Sequence, residues 1–342
     1  MTENQGEKWP RVAIIVLNWN GWRDTIECLE SLQRITYPNY QIIVVDNGST
    51  DESLEKLQHW FSRWEVADIP LEILSSARSY STFDLIVAGF VQKNNVERVL
   101  SVLLETNSNL GYSGGNNVGL AWALADGCDY SLILNNDVRV EMDFLNNMIQ
   151  VARKSNASVV GALIKDFNGT SILFARSSYP SMLLFSDAQK KPPDREWWST
   201  DRVDGSGMLI SMDLLRERWQ SLGYFLDESL FLYCEEIELG LWCKRAGKKS
   251  VIAGGAVVYH KLSKSSGGKG KPLQFYYITR NRILIARKYL PSLYKTLFFV
   301  IYIPLRILRA GMYMIQGRLE ISQAIMRGVL DGYRGIKGES FA

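Results

Sequence analysis

Four short apolar runs, each closed by polar residues, constrain the fold more than any other feature of this chain. They cover residues 11–17, 40–45, 99–105 and 131–134. A strand that is apolar at nearly every position is buried on both faces, which is typical of the centre of a parallel sheet. Helical patterns separate the runs, and the order strand, helix, strand predicts βαβ units with right-handed crossovers. We therefore expect an α/β fold.

The polar residues that follow these runs predict a binding crevice. The strand ends carry Asn18, Asp46, Asn109 and Asp137. Ligands of open α/β sheets bind outside the carboxyl ends of the strands, so these side chains should face one crevice. Residues 107–117 add three glycines and four asparagines ahead of a helix. That composition suits either a plain turn or a cradle for an anion or a ribose.

Composition and charge narrow the class of protein. The chain has 342 residues, of which 46% are hydrophobic and 22% charged, as in ordinary globular proteins. Its net charge of +3 indicates no particular partner, and nucleic acid is not expected among the partners. Residues 271–342 are distinctly basic, with 12 Lys and Arg against 3 Asp and Glu. No C-x-x-C pair occurs, which predicts reduced, packed thiols in the cytoplasm for Cys28, Cys128, Cys234 and Cys243.

Two strand-end residues are candidate metal ligands. Asp137 suits either a turn or a site for Mg²⁺ or Mn²⁺, which are held by one or two carboxylates together with substrate phosphates. His260 ends another apolar strand and is compatible with Mn²⁺, although a lone histidine is more often structural. Asn136 is a weaker ligand than a carboxylate, so such a site would need oxygens from its substrate.

Three glutamates begin a helix directly after an apolar segment. They are Glu235, Glu236 and Glu238. One interpretation is a solvated acidic helix face. The other is a partly desolvated carboxylate, whose raised proton affinity suits a general base.

Seven segments in order resemble family 2 inverting glycosyltransferases with the GT-A fold, especially the bacterial rhamnosyltransferase-like branch. They are VAIIVLNWNG, IIVVDNGSTDES, NSNLGYSGGNNVGL, LILNNDV, GSGMLI, FLYCEEIELGLWCKRAG and VVYH. The resemblance implies a Rossmann-like, mostly parallel sheet flanked by helices, with a C-terminal helical extension. It gives a tail at 1–10, a catalytic domain at 11–270 with an insertion at about 64–95, and a basic helical region at 271–342.

The resemblance also implies roles for individual residues. Asp137 matches the last acid of the D-x-D element that holds the metal, and His260 matches a histidine that often completes the site. Glu236 takes the position of the catalytic base, with Glu235 and Glu238 as alternatives because glutamate stands at all three acidic positions of that motif. The donor site would be formed by Asn18, Trp19, Asp46, Asn109, Gly111, Asn117 and Asn136.

The implied activity is that of a hexosyltransferase. A dTDP-rhamnose-like or UDP-sugar donor would give its sugar, with inversion, to a glycan or lipid-linked acceptor in cell-surface polysaccharide or glycoconjugate biosynthesis. The alternative is a non-catalytic scaffold that binds nucleotide sugars, since Asn135 replaces the first acid of D-x-D. A nicotinamide-dependent dehydrogenase is excluded because Asn-Trp-Asn-Gly, not G-x-G-x-x-G, follows the first strand.

The apolar segment at 294–316 has two interpretations. Its charged residues, Lys295, Arg306 and Arg309, would fall within roughly 60° of one another on a helix and form a basic stripe. Such a helix would lie in a membrane interface, at the inner face of the plasma membrane, or pack on the catalytic domain or in a homodimer. Its longest charge-free run, 296–305, is about half of the roughly 20 residues that a spanning helix needs, so we expect no span.

Overall fold

A computed structural model describes residues 9–62, 101–178, 187–262 and 271–341. The insertion expected at about 64–95 lies outside the described residues. The elements up to residue 166 are β1 (Val12–Asn18), α1 (Trp22–Leu32), β2 (Tyr40–Asp46), α2 (Ser53–Phe61), β3 (Ser101–Glu105), α3 (Gly111–Ala125), β4 (Tyr130–Asn135), β5 (Val138–Val140), α4 (Phe144–Ser155) and β6 (Val159–Asp166).

The second half of the chain adds short strands and a run of long helices. Its elements are β7 (Ile172–Phe174), β8 (Arg176–Ser178), β9 (Asp187–Gln189), β10 (Trp197–Ser199), β11 (Gly207–Ser211), α5 (Met212–Leu222), a 3₁₀ turn (Glu228–Leu230), α6 (Glu235–Arg245), β12 (Ser250–His260), α7 (Pro272–Tyr289), α8 (Ser292–Ile315) and α9 (Leu319–Arg334).

Four parallel strands form one half of the main sheet, in the order β4-β1-β2-β3. The register pairs Asn18 with Asp46 and Leu17 with Asn135, so the polar strand ends meet at one edge. The apolar runs of β1 and β2 are almost fully buried, as continuous apolar strands require. The predicted fold class, a mostly parallel sheet flanked by helices, is confirmed.

The other half of the sheet brings His260 to the same edge. β11 lies antiparallel between β4 and β6, and β12 runs parallel to β6. β5 pairs antiparallel with the end of β12, with Val138 opposite His260. Because Val138 directly follows Asp137 in the chain, this pairing places the aspartate beside the histidine.

The C-terminal helices α7 and α8 pack on the α/β core that the preceding elements form. Helix α8 buries only a narrow stripe of side chains. Its buried residues lie four apart, namely Phe298, Tyr302, Arg306 and Ala310. The Phe298 and Tyr302 rings are stacked, with centroids 4.6 Å apart. Arg306 is 8% exposed and donates from Nε to Oγ1 of Thr279 on α7 at 3.0 Å. Arg306 is therefore not part of an exposed basic stripe, whereas Arg309 is exposed and Lys295 is half-buried.

The opposite side of α8 is apolar and exposed. Leu293, Val300, Leu308 and Ile315 are 69%, 67%, 63% and 85% exposed. By length and composition this 24-residue helix could cross a membrane, and among the described residues it is the one helix that could. The expectation of no span rested on the shorter charge-free run within it. Only 22% of the most apolar stretch of α8 is buried, so the rest of the protein leaves most of this helix uncovered.

Candidate active site

A chain of buried hydrogen bonds joins the ends of three parallel strands. Asn136 donates from Nδ2 to Oγ1 of Thr25 at 2.9 Å, and the Thr25 hydroxyl donates to Oδ1 of Asn18 at 2.7 Å. Asn18 then donates from Nδ2 to Oδ1 of Asp46 at 2.6 Å. Buried amides and carboxylates are costly unless they are paired, so each link fixes the next. Trp19, which follows the β1 end, is 38% exposed and free of this constraint.

The loop before α3 is tied to the same edge through Asn47. Asn47 donates from Nδ2 to Oδ1 of Asn109 at 3.0 Å and to the Gly111 carbonyl at 3.1 Å. Gly111 has φ +73°, and a Cβ there would lie 2.4 Å from the Phe231 carbonyl oxygen. Only glycine fits both the left-handed backbone and this close approach. The donor-site residue predicted at 111 thus lies against the segment that leads into α6.

Asn117 sits further along α3, in a different environment. Its Nδ2 donates to the Leu226 carbonyl at 2.9 Å and to Oε1 of Glu228 at 2.7 Å. Its Oδ1 accepts the Leu226 backbone N–H at 2.9 Å. These contacts join α3 to residues 226–228, and the other donor-site candidates do not share them.

Asp137 and His260 form a close pair at the sheet edge. Nε2 of His260 lies 2.9 Å from Oδ1 of Asp137, and the two side chains are 12% and 6% exposed. Adjacent ligands at about 2.1 Å in an octahedral shell lie roughly 3 Å apart, so the pair fits two ligands of one divalent cation. Among the described residues, no group of three or more His, Cys, Asp or Glu side chains is arranged to hold a metal ion. Further ligands would have to come from a substrate.

Glu235 and Glu236 differ in their surroundings although they are adjacent. Glu235 is the first residue of α6 and is buried, and its Oε2 has no hydrogen-bond partner. Oε1 of Glu236 lies 3.1 Å from Nη1 of Arg202, and its side chain is 18% exposed. Burial and the charge of Glu236 raise the pKa of Glu235 well above its ordinary value. Burial also raises the pKa of Glu236, while the Arg202 cation opposes that rise.

Tyr112 joins the start of α3 to the turn that precedes β11. Its hydroxyl donates to the Gly205 carbonyl at 2.8 Å. Its pKa is raised well above the ordinary value, first by burial and then by negative charges that include Glu235, Glu236 and Asp137. A Cβ built on Gly205 would lie 2.9 Å from the Tyr112 hydroxyl and 3.9 Å from Oε1 of Glu235, so Tyr112 and Glu235 lie beside the same point of the backbone.

Glu238 lies in a separate, fully buried cluster. It is 1% exposed, and its Oε2 accepts from Nη2 of Arg218 at 2.6 Å. Its Oε1 accepts from the Tyr224 hydroxyl at 3.0 Å and from Nζ of Lys288 at 3.2 Å, and the Tyr289 hydroxyl also donates to it. A carboxylate with this many donors joins α5, α6 and α7. Its contacts are those of a structural anchor.

The segment before α6 has an unusual backbone. Phe231, Tyr233 and Cys234 have φ values of 62°, 65° and 75°. With ψ −65°, Phe231 is the centre of a γ-turn in which the Leu232 N–H donates to the Leu230 carbonyl at 2.8 Å. Such positions cost on the order of 1–3 kcal/mol each and persist only where surrounding contacts enforce them. Strain of this kind clusters at functional sites.

Sequence reasoning missed Thr25, Arg202 and Tyr112. Thr25 was recognised only as part of a helical pattern, and its place seven residues after Asn18 gives no sign of their contact. Arg202 lies three residues before the Gly205-Ser206-Gly207 turn, but its pairing with Glu236 spans 34 positions. Side-chain contacts across such separations are not visible in a single sequence. The four cysteines are free and buried, as expected.

Comparisons with known proteins agree with this architecture. Residues 13–79 match the model of Glycosyl transferase family 2. The chain is 26% identical over 248 residues to the low-salt glycan biosynthesis hexosyltransferase Agl10 of Haloferax volcanii, a match covering 69% of this chain and 76% of that protein.

Two solved structures share the fold at low identity. GalNAc-T7 with UDP, GalNAc and Mn²⁺ superposes with a TM-score of 0.60 at 15% identity, over 86% of this chain and 50% of that one. This chain therefore spans about half the length of that structure. The mannosyltransferase PcManGT from Pyrobaculum calidifontis, in complex with GDP-Man and Mn²⁺, gives 0.55 at 12% identity, over 95% and 88%.

The fold, the polar side chains at the strand ends and these matches define the class of this protein: it is a glycosyltransferase with the GT-A fold. More narrowly, residues 13–79 match the Glycosyl transferase family 2 model, and the predicted glycosyltransferase is confirmed. The rhamnosyltransferase-like branch and the inverting mechanism stay predictions.

The buried cluster around Glu238 gives a prediction about stability. Replacing Glu238→Gln leaves the Arg218 guanidinium buried without its carboxylate, which should lower the free energy of unfolding by about 3–5 kcal/mol. Urea denaturation followed by circular dichroism measures the change. The control is Asp213→Asn, which breaks an exposed pair with Arg216 and should cost less than about 1 kcal/mol. Equal costs would show that the cluster is not a structural anchor.

Proposed function

We propose that the protein transfers a sugar from a nucleotide-diphosphate sugar to an acceptor hydroxyl with inversion at the anomeric carbon. The observation that carries this proposal is the pair of adjacent glutamates in contrasting environments beside the strand-end crevice. Glu236 takes the proton of the acceptor hydroxyl as that oxygen bonds to sugar C1. The C1–oxygen bond to the diphosphate breaks on the opposite face, and the nucleoside diphosphate leaves with the bonding electrons. One displacement of this kind inverts C1.

The electrostatics favour Glu236 over Glu235 as the base. Environments that push two titratable groups apart commonly mark acid and base roles. Arg202 stabilises the charged form of Glu236, which a base requires, and the partial exposure of Glu236 gives an acceptor access. Glu235 is buried and next to that charge, so it favours the neutral form. Glu238 is committed to Arg218 and Lys288, which leaves it for a structural role.

Asp137 and His260 would hold a divalent cation, Mg²⁺ or Mn²⁺, at the donor diphosphate. Their 2.9 Å separation suits a chelating pair, and both GT-A neighbours described above contain Mn²⁺. When bound, such an ion neutralises charge that develops on the leaving diphosphate. A site with only two protein ligands would bind the ion best when the donor is present. Asn136, which directly precedes Asp137, would fix the end of β4 beside this pair through its hydrogen bond to Thr25.

The donor would lie across the ends of β1, β2 and β4. The neighbours are complexes with UDP and GDP-Man, so the shared chemistry is a nucleoside diphosphate. Trp19 offers an exposed ring for the base, while Asn18, Asp46, Asn109 and Gly111 shape the floor of the site. A UDP-sugar or dTDP-rhamnose-like donor and a glycan or lipid-linked acceptor fit this proposal, with a role in cell-surface polysaccharide or glycoconjugate biosynthesis. A non-catalytic scaffold would bind the donor without releasing nucleoside diphosphate.

We also propose that the exposed face of α8 contacts a lipid bilayer. Of its charged residues, Arg306 is buried against α7, Lys295 is half-buried and Arg309 is exposed, while Leu293, Val300, Leu308 and Ile315 give the helix a large exposed apolar surface. A groove of about 490 Å³, lined mainly by Ile303 and by residues of α9, continues this apolar surface. Exposed cations of α9 and the residues after it, Arg327, Arg334 and Lys337, complement anionic headgroups. This would hold the protein at the inner face of the plasma membrane, where lipid-linked acceptors lie.

The base assignment predicts the effect of single amide substitutions. Glu236→Gln should lower kcat by about 10²-fold or more, the usual scale of general-base catalysis, and leave donor binding nearly unchanged. In the wild type the carboxylate must be ionised, and its pKa is raised. Activity should therefore fall on acidification at a pH above the ordinary glutamate value of 4.5. Release of nucleoside diphosphate from UDP-GlcNAc, GDP-mannose and dTDP-rhamnose with Mn²⁺, measured against pH, checks both points.

Glu235→Gln is the comparison for this test. A neutral amide resembles the protonated state that we assign to Glu235, so this variant should keep most of its activity. If Glu235→Gln is the inactive variant and Glu236→Gln is active, the base has been assigned to the wrong glutamate.

The metal proposal predicts a binding difference that needs no turnover. With UDP present, Mn²⁺ should raise the melting temperature of the wild type, because a ligand that binds only the native state stabilises it. Asp137→Asn removes the carboxylate and should abolish this Mn²⁺-dependent rise while leaving the melting temperature without ligands close to the wild type. Asp143→Asn, an exposed carboxylate on the neighbouring helix start, should keep the full rise. The same rise in both variants would rule out Asp137 as a ligand.

The bilayer proposal predicts vesicle binding through α8. The double variant Val300→Glu, Leu308→Glu places charges on the exposed apolar face and should lose binding to vesicles that contain anionic lipid, as followed by co-sedimentation. Salt should weaken wild-type binding only in part, because screening leaves apolar burial intact. Gln58→Glu, at an exposed position of α2, is the control. A dimer in sedimentation experiments that the double variant dissociates, without any vesicle binding, would instead identify a homodimer interface.

A further inference from the structure

The strained segment 229–234 is held from one side by two consecutive residues of α7. Asn281 is fully buried, and its Nδ2 lies within hydrogen-bond distance of the carbonyls of Leu230 at 2.9 Å, Leu232 at 2.7 Å and Tyr233 at 2.8 Å. Because three backbone carbonyls converge on one amide nitrogen, the segment curls around the Asn281 side chain. This is the turn that contains Phe231 and Tyr233, two of the positive-φ residues.

Arg280 completes the support. Its Nη2 donates to the Leu230 carbonyl at 2.9 Å, and its Nε donates to Oδ1 of Asn281 at 2.9 Å. The second hydrogen bond fixes which way the Asn281 amide faces. Burial lowers the pKa of Arg280 from its ordinary value. A buried guanidinium is costly unless its N–H groups are hydrogen-bonded, so Arg280 and the carbonyls that it contacts hold one another in place.

Residues 338–340 close the arrangement from the other side. The Gly338 N–H donates to the Ser229 carbonyl at 2.8 Å, and the Gly338 carbonyl accepts from Nη1 of Arg280 at 2.6 Å. The Ser340 hydroxyl also accepts from Nη1 of Arg280. One guanidinium therefore joins the strained segment, α7 and the residues after α9.

The held segment separates the two halves of the proposed active site. At one point the Tyr112 N–H donates to the Phe231 carbonyl at 2.7 Å, next to Gly111 of the donor site. Four residues after Phe231 the chain enters α6 with Glu235 and Glu236. A change in the turn would therefore move the carboxylates relative to the donor. Misplacement by roughly 1 Å can cost on the order of 10²-fold in rate.

We propose that Arg280 and Asn281 are positioning residues, which hold the strained segment so that Glu236 faces the acceptor at a fixed place relative to the donor. Neither residue touches the reacting atoms. This inference rests on the proposed function, since it assumes that Glu236 is the base. The basic C-terminal region then contributes to catalysis itself as well as to any surface contact.

The charged groups that surround the glutamates determine the pH effect. Glu236 faces Glu235 of its own helix, Arg202 and Asp204 of the loop before β11, and Arg282 of α7. If the turn relaxes, water reaches Glu236 and the contribution of burial to its pKa falls. The acid limb of the pH–rate profile should then move to lower pH.

Asn281→Ala tests the proposal through two measurements. The rate of nucleoside diphosphate release from UDP-GlcNAc, GDP-mannose and dTDP-rhamnose with Mn²⁺ should fall about 10²-fold at saturating donor, with donor KM little changed and the acid limb displaced to lower pH. Amides of residues 229–235 should exchange with deuterium faster than in the wild type, a measurement that needs no substrate.

The control is Gln41→Ala, which removes another buried amide. Gln41 lies near the start of β2, at the end of the strand away from Asp46. This variant should lower the melting temperature and leave the rate, the acid limb and the exchange of 229–235 unchanged. If Asn281→Ala behaves like Gln41→Ala, the positioning role is overturned. An inactive Glu236→Gln would in that case leave the proposed function standing.

Arg280→Lys is the second variant, and it decides the matter if Asn281→Ala does not fold. Lysine keeps the charge but cannot bond to Asn281, Leu230 and Gly338 together. A lower rate with faster exchange at 229–235 supports the proposal. A wild-type rate with wild-type exchange overturns it. If the wild type releases no nucleoside diphosphate from any of the three donors, the proposed function fails, while the exchange measurement still shows whether Arg280 holds the segment.

Discussion

Parallel pairing of β4, β1 and β2 is the constraint on which the rest of this structure depends. Parallel strands in register end at the same edge, so Asn18, Asp46 and Asp137 come together although they lie far apart in the chain. Burial then requires each polar group to find a partner, and the bonds from Asn136 through Thr25 and Asn18 to Asp46 meet that requirement. The polar groups at the strand ends therefore satisfy one another's hydrogen-bonding capacity.

Three glutamates within four positions acquire different properties from their neighbours. Glu238 points into the core, where Arg218 and Lys288 neutralise it. Glu236 turns toward Arg202 and keeps partial exposure, while Glu235 is buried without a cation of its own. The helix itself presents all three as equivalent acids. Burial and the position of each cation distinguish them, and these are properties of the packed structure.

Helix α7 joins parts of the molecule that lie far apart in the sequence. The Thr279 hydroxyl accepts a hydrogen bond from Arg306 and so holds α8 against α7. Arg280 and Asn281, the next two residues, support the turn that leads to the proposed base. Near the end of the helix, Lys288 and Tyr289 reach Glu238. Through these buried polar contacts α7 packs against the turn before α6 and against α6 itself. Helix α8, with its apolar surface, packs directly on α7.

The sequence by itself determined the strand runs, their polar ends and the glutamates at the start of α6, because burial patterns and local motifs lie in contiguous residues. It could not assign a role to each glutamate, since the partners Arg202, Arg218 and Lys288 lie between 20 and 50 positions away. It also left open whether Arg306 faces a membrane or packs on protein, and the structure places it against Thr279, four residues after Tyr302. Helical periodicity defines which residues share a side, but only tertiary packing decides which side is buried.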